Sequence, residues 1–167
     1  MRYFTRGWAT GEFTDEEANR IRDVYWQRIR ELTSRLPAGV ARLANEVQLH
    51  DAAIVHVRVN VARRELALHL VCGDLQTGYC DVELSYTGVQ MREQQLGVLR
   101  DRARDRESAV LYDEVDVECD GEFVHRVLFW PEGEIAIGFR EIEIKTAGRE
   151  SRQIPMMPYF TDEAAKD

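Results

Sequence analysis

The chain of 167 residues has only three cysteines, and none stands in a CxxC pair or a zinc-binding spacing. A disulfide scaffold is not needed, because a chain of this length buries roughly 70% of its unfolded surface. An odd number of cysteines in such a chain predicts reduced thiols in a cytosol. Cys72 and Cys80 flank one turn and could face each other, although we expect no bridge in that compartment. Cys119 stands apart from both.

Long apolar runs are also missing. No segment approaches the roughly 20 apolar residues that span a bilayer, and residues 1–8 lack the apolar region of a signal peptide. We therefore expect a cytoplasmic protein without a membrane partner. The sequence shows no catalytic, metal or nucleotide motif, so it predicts no catalytic residue and no cofactor.

Positive charge is in deficit. The chain has 30 acidic and 22 basic residues, which gives a net charge of −8. This balance argues against a nucleic-acid partner, because such a partner requires a basic face that displaces counterions. It is compatible with a basic protein partner, whose approach a negative surface would accelerate.

Hydrophobic periodicity predicts helices over residues 14–47. Thr14 and Glu17 fit a capping box at the start of a helix from about Thr14 to Leu36. Pro37 stops this helix and can begin a shorter one that runs from about Ala38 to Val47. The apolar stripe of the first helix consists of Ala18, Ile21, Val24, Tyr25, Ile29, Leu32 and Leu36.

After the step Leu49-His50-Asp51 the apolar period changes from 3.6 to 2, which is typical of half-buried strands. Three such strands with short turns predict an antiparallel meander. A charged helix is expected over residues 93–107, a hairpin turn at Asp120-Gly121 and a bulge near Arg140-Glu141. The predicted strands cover residues 54–61, 65–72, 80–86, 111–119, 123–130 and 135–144.

These elements predict a single α+β domain over residues 1–167. Its N-terminal helices are expected to pack on one face of one antiparallel, meander-like sheet of about six strands, formed within residues 53–145. Residues 146–167 are expected to form a loosely held tail.

Several short motifs carry a resemblance. They are Tyr3-Phe4-Thr5 with Trp8, Leu36-Pro37, Leu49-His50-Asp51, Leu84 to Val89, and Tyr112 to Ile144 with Glu114, Asp120-Gly121 and Phe139. In these the chain resembles a bacterial family of uncharacterised small proteins known only as a domain of unknown function. It is also similar to immunity-type proteins found beside bacterial toxins, several of which share a Leu-His-Asp step before a β-meander. The resemblance implies a fold and a bacterial cytosol, and it supplies no catalytic residue.

Acidic residues alternate along several predicted strands. If those strands are neighbours, one sheet face becomes an acidic field that can attract a basic protein. The alternative is a solvated face whose charge is offset by Arg58, Arg126 and Lys145. The leading hypothesis is a non-catalytic protein-binding module of immunity or accessory type. Its partner-binding residues would be Glu83, Glu114, Asp116 and Glu118.

Two further hypotheses stay open. A metal-assisted hydrolase would use His50, His56 and His69 as ligands, together with a carboxylate, because a zinc site needs three or four ligands. Against it, Asp51 can cap a turn while His50 bonds a backbone carbonyl. His56 and His69 would then belong to a polar sheet face. The third hypothesis is a structural homodimer that pairs through the sheet or through residues 154–160.

Overall fold

The structure is a computed structural model, and it describes residues 1–118, 122–153 and 159–162. Within that part of the chain it contains four α-helices and eight β-strands. The helices are α1 (Arg6–Ala9), α2 (Asp15–Thr33), α3 (Ala38–Asn45) and α4 (Glu93–Arg104). The strands are β1 (Ala53–Asn60), β2 (Glu65–Asp74), β3 (Gly78–Thr87), β4 (Ala109–Val117), β5 (Phe123–Trp130), β6 (Glu134–Phe139), β7 (Glu141–Arg149) and β8 (Tyr159–Asp162).

Five strands form one mixed sheet in the order β7-β3-β2-β1-β8. Within it β1, β2 and β3 form the antiparallel meander that the alternating pattern predicts. The strand β7 pairs with β3 in antiparallel orientation, and β8 pairs with β1 in parallel. The predicted meander is therefore confirmed, and it forms the centre of a larger sheet.

The remaining strands form a second, antiparallel sheet in the order β4-β5-β6. The α+β class is confirmed, but the prediction of one sheet of about six strands is wrong. The error arises at Arg140, where the sequence predicts a bulge. The chain instead leaves the second sheet after Phe139 and enters the first sheet at Glu141. When a strand moves to another sheet, the inward-pointing positions can shift by one residue, as they do at a bulge. Periodicity alone therefore does not distinguish a change of sheet from a bulge.

The apolar core lies between the inner faces of the two sheets. Tyr86 on β3 meets Phe139 on β6 with ring centroids 5.2 Å apart and an interplanar angle of 73°. Both side chains are fully buried, as are Leu84 on β3 and Ile137 on β6. Edge-to-face aromatic contacts of this kind add to the free energy gained from burial.

The first long helix begins as the sequence predicts. Thr14 and Glu17 form the capping box, with the Glu17 carboxylate accepting a hydrogen bond from the Thr14 backbone N–H at 2.9 Å. The helix α2 ends at Thr33, three residues earlier than expected. The predicted charged helix is also confirmed, as α4.

The helices do not lie on one face of one sheet, which corrects the predicted layer arrangement. The short helix α3 packs on β7, where Arg42 Nη1 donates a hydrogen bond to the Ile144 carbonyl at 2.8 Å. A Cβ atom at Gly39 would lie only 2.1 Å from the Ile142 carbonyl oxygen, so this close approach requires glycine. Since β7 is the last strand of its sheet, α3 covers a free strand edge.

The C-terminal segment differs from the expected loose tail. Residues 146–149 complete β7, and residues 159–162 form β8 on the edge of β1. The predicted turn at Asp120-Gly121 and most of the 154–160 segment lie outside the described residues. Among the described helices none is both long and apolar enough to cross a membrane.

Candidate functional site

Glu114 lies on β4 and is buried, with 1% of its side chain exposed. Its carboxylate accepts hydrogen bonds from three consecutive backbone N–H groups, those of Arg2, Tyr3 and Phe4. The Tyr3 and Phe4 bonds measure 2.8 and 3.2 Å. A carboxylate that accepts several backbone N–H groups is a strong, charge-assisted anchor. Glu114 therefore fixes the N-terminal segment to the second sheet.

Asp116 is buried two residues further along β4 and continues this anchor. Its carboxylate accepts hydrogen bonds from Arg2 Nη1 and Arg28 Nε, each at 2.8 Å, and from the Val117 backbone N–H at 2.9 Å. Burial alone would raise the pKa of Asp116, but the Val117 and Arg28 hydrogen bonds outweigh it and hold the pKa below its usual range.

The predicted acidic face is not assembled. Glu114 and Asp116 are buried and saturated with donors from the N-terminal segment and α2, so neither belongs to an exposed surface. Glu118 is exposed, and Arg126 Nη2 donates to its carboxylate at 2.7 Å. Glu83 belongs to the other sheet, beside Lys145 on β7. The alternation of apolar and acidic residues predicts which side of its own strand each carboxylate is on. It could not show that β4 and β3 belong to different sheets.

His50 and Asp51 form the turn that enters β1. His50 Nδ1 lies 2.6 Å from the Leu111 carbonyl oxygen, which confirms the backbone contact expected for this residue. Asp51 adopts a left-handed backbone with a φ of 59°, a conformation that aspartate tolerates at turns. The His50-Asp51 step is therefore a structural connection between β1 and β4.

His56 and His69 are direct partners across β1 and β2, as their predicted proximity requires. Each ring has its own partner: His56 Nε2 lies 3.1 Å from Thr161 Oγ1, and His69 Nε2 lies 2.9 Å from Asp81 Oδ1. Burial and the charge of Arg58 lower the pKa of His56. The pair belongs to the outer, polar face of the five-stranded sheet.

The metal-assisted hydrolase hypothesis requires His50, His56 and His69 around one ion. In the described part of the chain there is no group of three histidine, cysteine, aspartate or glutamate side chains able to hold a metal ion. The three histidines therefore do not form the predicted site. The reason is topological, because His50 lies in the turn before β1 and bonds to β4, away from the face that carries the other two.

A concave site with five aromatic lining residues lies beside β4. It has a volume of about 270 Å³ and lies between α1, α2, the residues after α3, and β4. We call it the aromatic cleft. Its aromatic lining residues are Phe4, Trp8, Tyr25, Trp26 and Tyr112, and its polar lining residues are Arg22, Asn45, Gln48, His50 and Asp113.

The aromatic side chains of this cleft hold one another in place. Trp8 meets Tyr112 edge to face with ring centroids 4.9 Å apart, and Phe4 meets Tyr25 in the same way at 4.9 Å. Trp8 Nε1 also donates a hydrogen bond to the Ala18 carbonyl at 3.1 Å, which fixes its ring against α2. These contacts preform the cleft, since each ring is packed on at least one side.

Asp113 supplies the negative charge of the aromatic cleft. Its Oδ2 lies 3.1 Å from His125 Nε2, and 19% of its side chain is exposed. Its other oxygen, Oδ1, makes no hydrogen bond or ion pair with the residues that the structure describes. The same carboxylate therefore has one oxygen held by the protein and one oxygen open to a ligand.

Behind Asp113 a buried hydrogen-bond chain leads into the core. His125 is 0% exposed, and its Nδ1 lies 2.8 Å from the Tyr86 hydroxyl. Burial, and secondarily the charge of Asp113, raise the pKa of Tyr86 well above its usual value, so the hydroxyl keeps its proton and can donate a hydrogen bond to Nδ1. Because an ionised carboxylate only accepts hydrogen bonds, the contact with Asp113 requires a proton on His125 Nε2. This arrangement orients the Asp113 carboxylate, as a ring nitrogen does in other carboxylate–histidine pairs.

The sequence interpretation missed both Asp113 and His125. One signal was present: His125 is a polar residue inside the strand Phe123–Trp130, which is apolar on both faces, and a buried polar group is the informative exception to hydrophobic patterning. Asp113 carried no such signal, because its role depends on the packing of β4 against α2 and the residues after α3.

Comparison of the chain with protein-family models, with curated proteins and with solved structures gives no match.

Proposed function

We propose that this protein is a cytoplasmic, non-catalytic protein-binding module of immunity or accessory type. It binds a basic partner by taking one cationic side chain into the aromatic cleft. The observation that carries the proposal is that Asp113, whose Oδ1 has no hydrogen-bond partner among the described residues, lines the same cleft as the aromatic residues Trp8, Trp26 and Tyr112. Aromatic faces attract cations, and a carboxylate shielded from water strengthens that attraction.

The size of the cleft supports a side chain as its occupant. Sites for whole small molecules and cofactors usually measure roughly 300–1,000 Å³. The aromatic cleft, at about 270 Å³, lies below that range and suits a single long side chain. Central anchors of this kind, inserted into a preformed pocket, contribute most of the binding free energy in many protein interfaces.

The charges around the aromatic cleft also favour a cation. Among the described residues, Arg22 is the one arginine that lines it, and its side chain is half exposed with the Asp23 carboxylate at 4.0 Å. Its repulsion is therefore weakened by solvent and by the neighbouring carboxylate. The net charge of −8 would in addition steer a basic partner toward the molecule.

The surface beside the cleft is apolar where a partner would rest. Trp26 on α2 lines the cleft and is 39% exposed, although it is a large apolar residue. Exposed tryptophan is enriched at the centre of protein interfaces, where its wide ring is covered by the partner. We infer that Trp26 forms part of the contact around the bound side chain.

The test uses two blocked tripeptides, acetyl-Gly-Arg-Gly-amide and its citrulline counterpart, which has nearly the same shape without the charge. We expect the arginine peptide to shift the indole NMR signals of Trp8 and Trp26 in a saturable way, and the citrulline peptide to do so much more weakly. Trp26→Ala should lower the arginine affinity about fivefold, since an exposed cation–π contact contributes about 1 kcal/mol.

Trp130→Ala is the matched control, because Trp130 is a second exposed tryptophan, 54% exposed, that does not line the cleft. It should leave the affinity unchanged. Equal binding of the two peptides, or no shift at either indole, would show that the cleft does not recognise a cation.

A further inference from the structure

Cys72 on β2 and Cys80 on β3 stand directly opposite each other in the antiparallel register. Both are free thiols. Residues at directly opposed positions share a face and have Cβ atoms about 4.5–5.5 Å apart. A disulfide requires Cα atoms roughly 4.4–6.8 Å apart and Cβ atoms roughly 3.5–4.5 Å apart. The two ranges meet at about 4.5 Å, so the pair is within a small backbone adjustment of bridging geometry.

The hairpin that joins these two strands fixes their approach. Gly73 and Gly78 both have a positive φ, of 94° and 84°. A Cβ atom at Gly73 would lie only 2.0 Å from the Gly78 carbonyl oxygen, so the strands approach next to the thiols as closely as only glycine allows. The neighbouring cysteines are thereby kept opposite each other without support from a bridge.

The pair is also accessible. Cys72 and Cys80 both line a second cavity, of about 520 Å³, between the hairpin and the residues after α3. Cys72 is buried and Cys80 is half-buried, so a reagent in this cavity meets Cys80 first. The cavity is also lined by Arg42 and Arg152 and by Glu46, Asp51 and Asp74, so charged groups of both signs surround the two thiols.

We propose that Cys72 and Cys80 form a thiol–disulfide exchange site whose reaction partners are small, low-molecular-weight disulfides. The Cys80 thiolate attacks one sulfur of the small disulfide, forms a mixed disulfide and releases the first small thiol. The Cys72 sulfur then gives up its proton, attacks Cys80 Sγ and releases the second small thiol. Two electrons pass from the two cysteines to the small disulfide, and the protons end on the two released thiols.

The order of attack follows from the surroundings of the two sulfurs. Burial raises the pKa of Cys72 to about 12, with a smaller contribution from Cys80, so this thiol is a poor first nucleophile. Once Cys80 carries the mixed disulfide, however, the reaction of Cys72 is intramolecular, and proximity compensates for a small thiolate fraction. The exchange site lies in a different cavity from the proposed cation site, although the two cavities share Val47, Gln48 and His50 in their linings.

The test is made on the folded, full-length chain carrying Cys119→Ser, which removes the third thiol. The protein is incubated with oxidised glutathione, alkylated with iodoacetamide and analysed by mass spectrometry with peptide mapping. We expect both thiols to disappear together, giving a product two hydrogens lighter, without a retained glutathione, in which Cys72 is linked to Cys80.

The control adds Cys80→Ser to the same background, and thermal unfolding confirms that it folds. Because only the buried Cys72 remains, we expect its thiol to stay free over the time in which the parent forms its bridge. A parent protein that keeps glutathione on Cys80 with Cys72 alkylated, or that keeps both thiols, would overturn the exchange site. Equal loss of Cys72 in the control would overturn the proposed order of attack.

Discussion

At the scale of single residues, three carboxylates on β4 differ in the groups that they bind. Glu114 binds the backbone of the N-terminal segment, and Asp116 binds Arg2 and Arg28. Asp113 instead leaves one oxygen open in the aromatic cleft. The role of each carboxylate depends on the donors and charges around it, because a buried charge is stable only when hydrogen-bond donors or a counter-charge satisfy it.

Replacement of Asp116 tests the anchor of the N-terminal segment. Asp116→Asn should lower the free energy of unfolding at pH 7 by about 1.5–3 kcal/mol, the contribution of hydrogen bonds to a charged group. Urea denaturation measures this difference, and Glu118→Gln, at an exposed carboxylate, should change it by less than about 1 kcal/mol.

The same variant makes a prediction about pH. Because the pKa of Asp116 in the folded protein lies below its ordinary value of 3.8, its stabilisation is fully present above that value. It is lost as the pH falls through the lower folded-state pKa, when the carboxylate takes up a proton. The difference between the wild type and Asp116→Asn should therefore shrink on acidification below the ordinary value. A difference that stays constant or grows would contradict the assigned pKa shift.

At the scale of elements, helices cover two of the outer strand edges, those of β4 and β7. The Val115 backbone N–H donates to the Tyr25 hydroxyl at 3.0 Å, so α2 covers β4, the edge of the second sheet. In the same way α3 covers β7. Covered edges prevent pairing with other chains, and at β4 the arrangement also brings α2 close enough to complete the aromatic cleft.

A glycine pair tests the contact of α3 with β7. Gly39→Ala should lower the free energy of unfolding by about 1–3 kcal/mol, because the new methyl group meets the rigid Ile142 backbone. Gly97→Ala, in α4 with open space around it, should instead stabilise by roughly 0.5–1 kcal/mol. Urea denaturation measures the change in the free energy of unfolding of both variants. Stabilisation by Gly39→Ala would contradict the close packing of α3 against β7.

Elements with a local signal were predictable from the sequence. The Thr14 capping box, the start of a second helix directly after Pro37 and the meander of β1 to β3 depend on neighbouring residues, and the structure confirms them. The pairing of β7 with β3 and of β8 with β1 depends on residues far apart in sequence. Alternation predicts the faces of a strand but carries no information about its neighbours.

At the scale of the whole molecule, the two sheets and the helices at their edges enclose the core and leave the aromatic cleft beside β4. The candidate site was not predictable, because its aromatic residues come from α2 and from segments that no shared motif connects. Large aromatic side chains usually belong to a core, so the sequence alone does not mark Trp8 and Trp26 as site residues. Only the packing of α1 and α2 against β4 shows that they line a site open to a ligand.

The central claim is that Asp113 recognises a cation in the aromatic cleft, and the most direct measurement is the affinity of the arginine and citrulline peptides for wild-type protein and Asp113→Asn. Asparagine keeps an oxygen that can accept the hydrogen bond of His125, so the fold should be retained. We predict that the wild type prefers the arginine peptide by about tenfold or more, as expected for a hydrogen bond to a charged group. In Asp113→Asn this preference should fall by about tenfold, and what remains is the cation–π contribution of the aromatic rings. An arginine preference of the same size in Asp113→Asn would contradict the account.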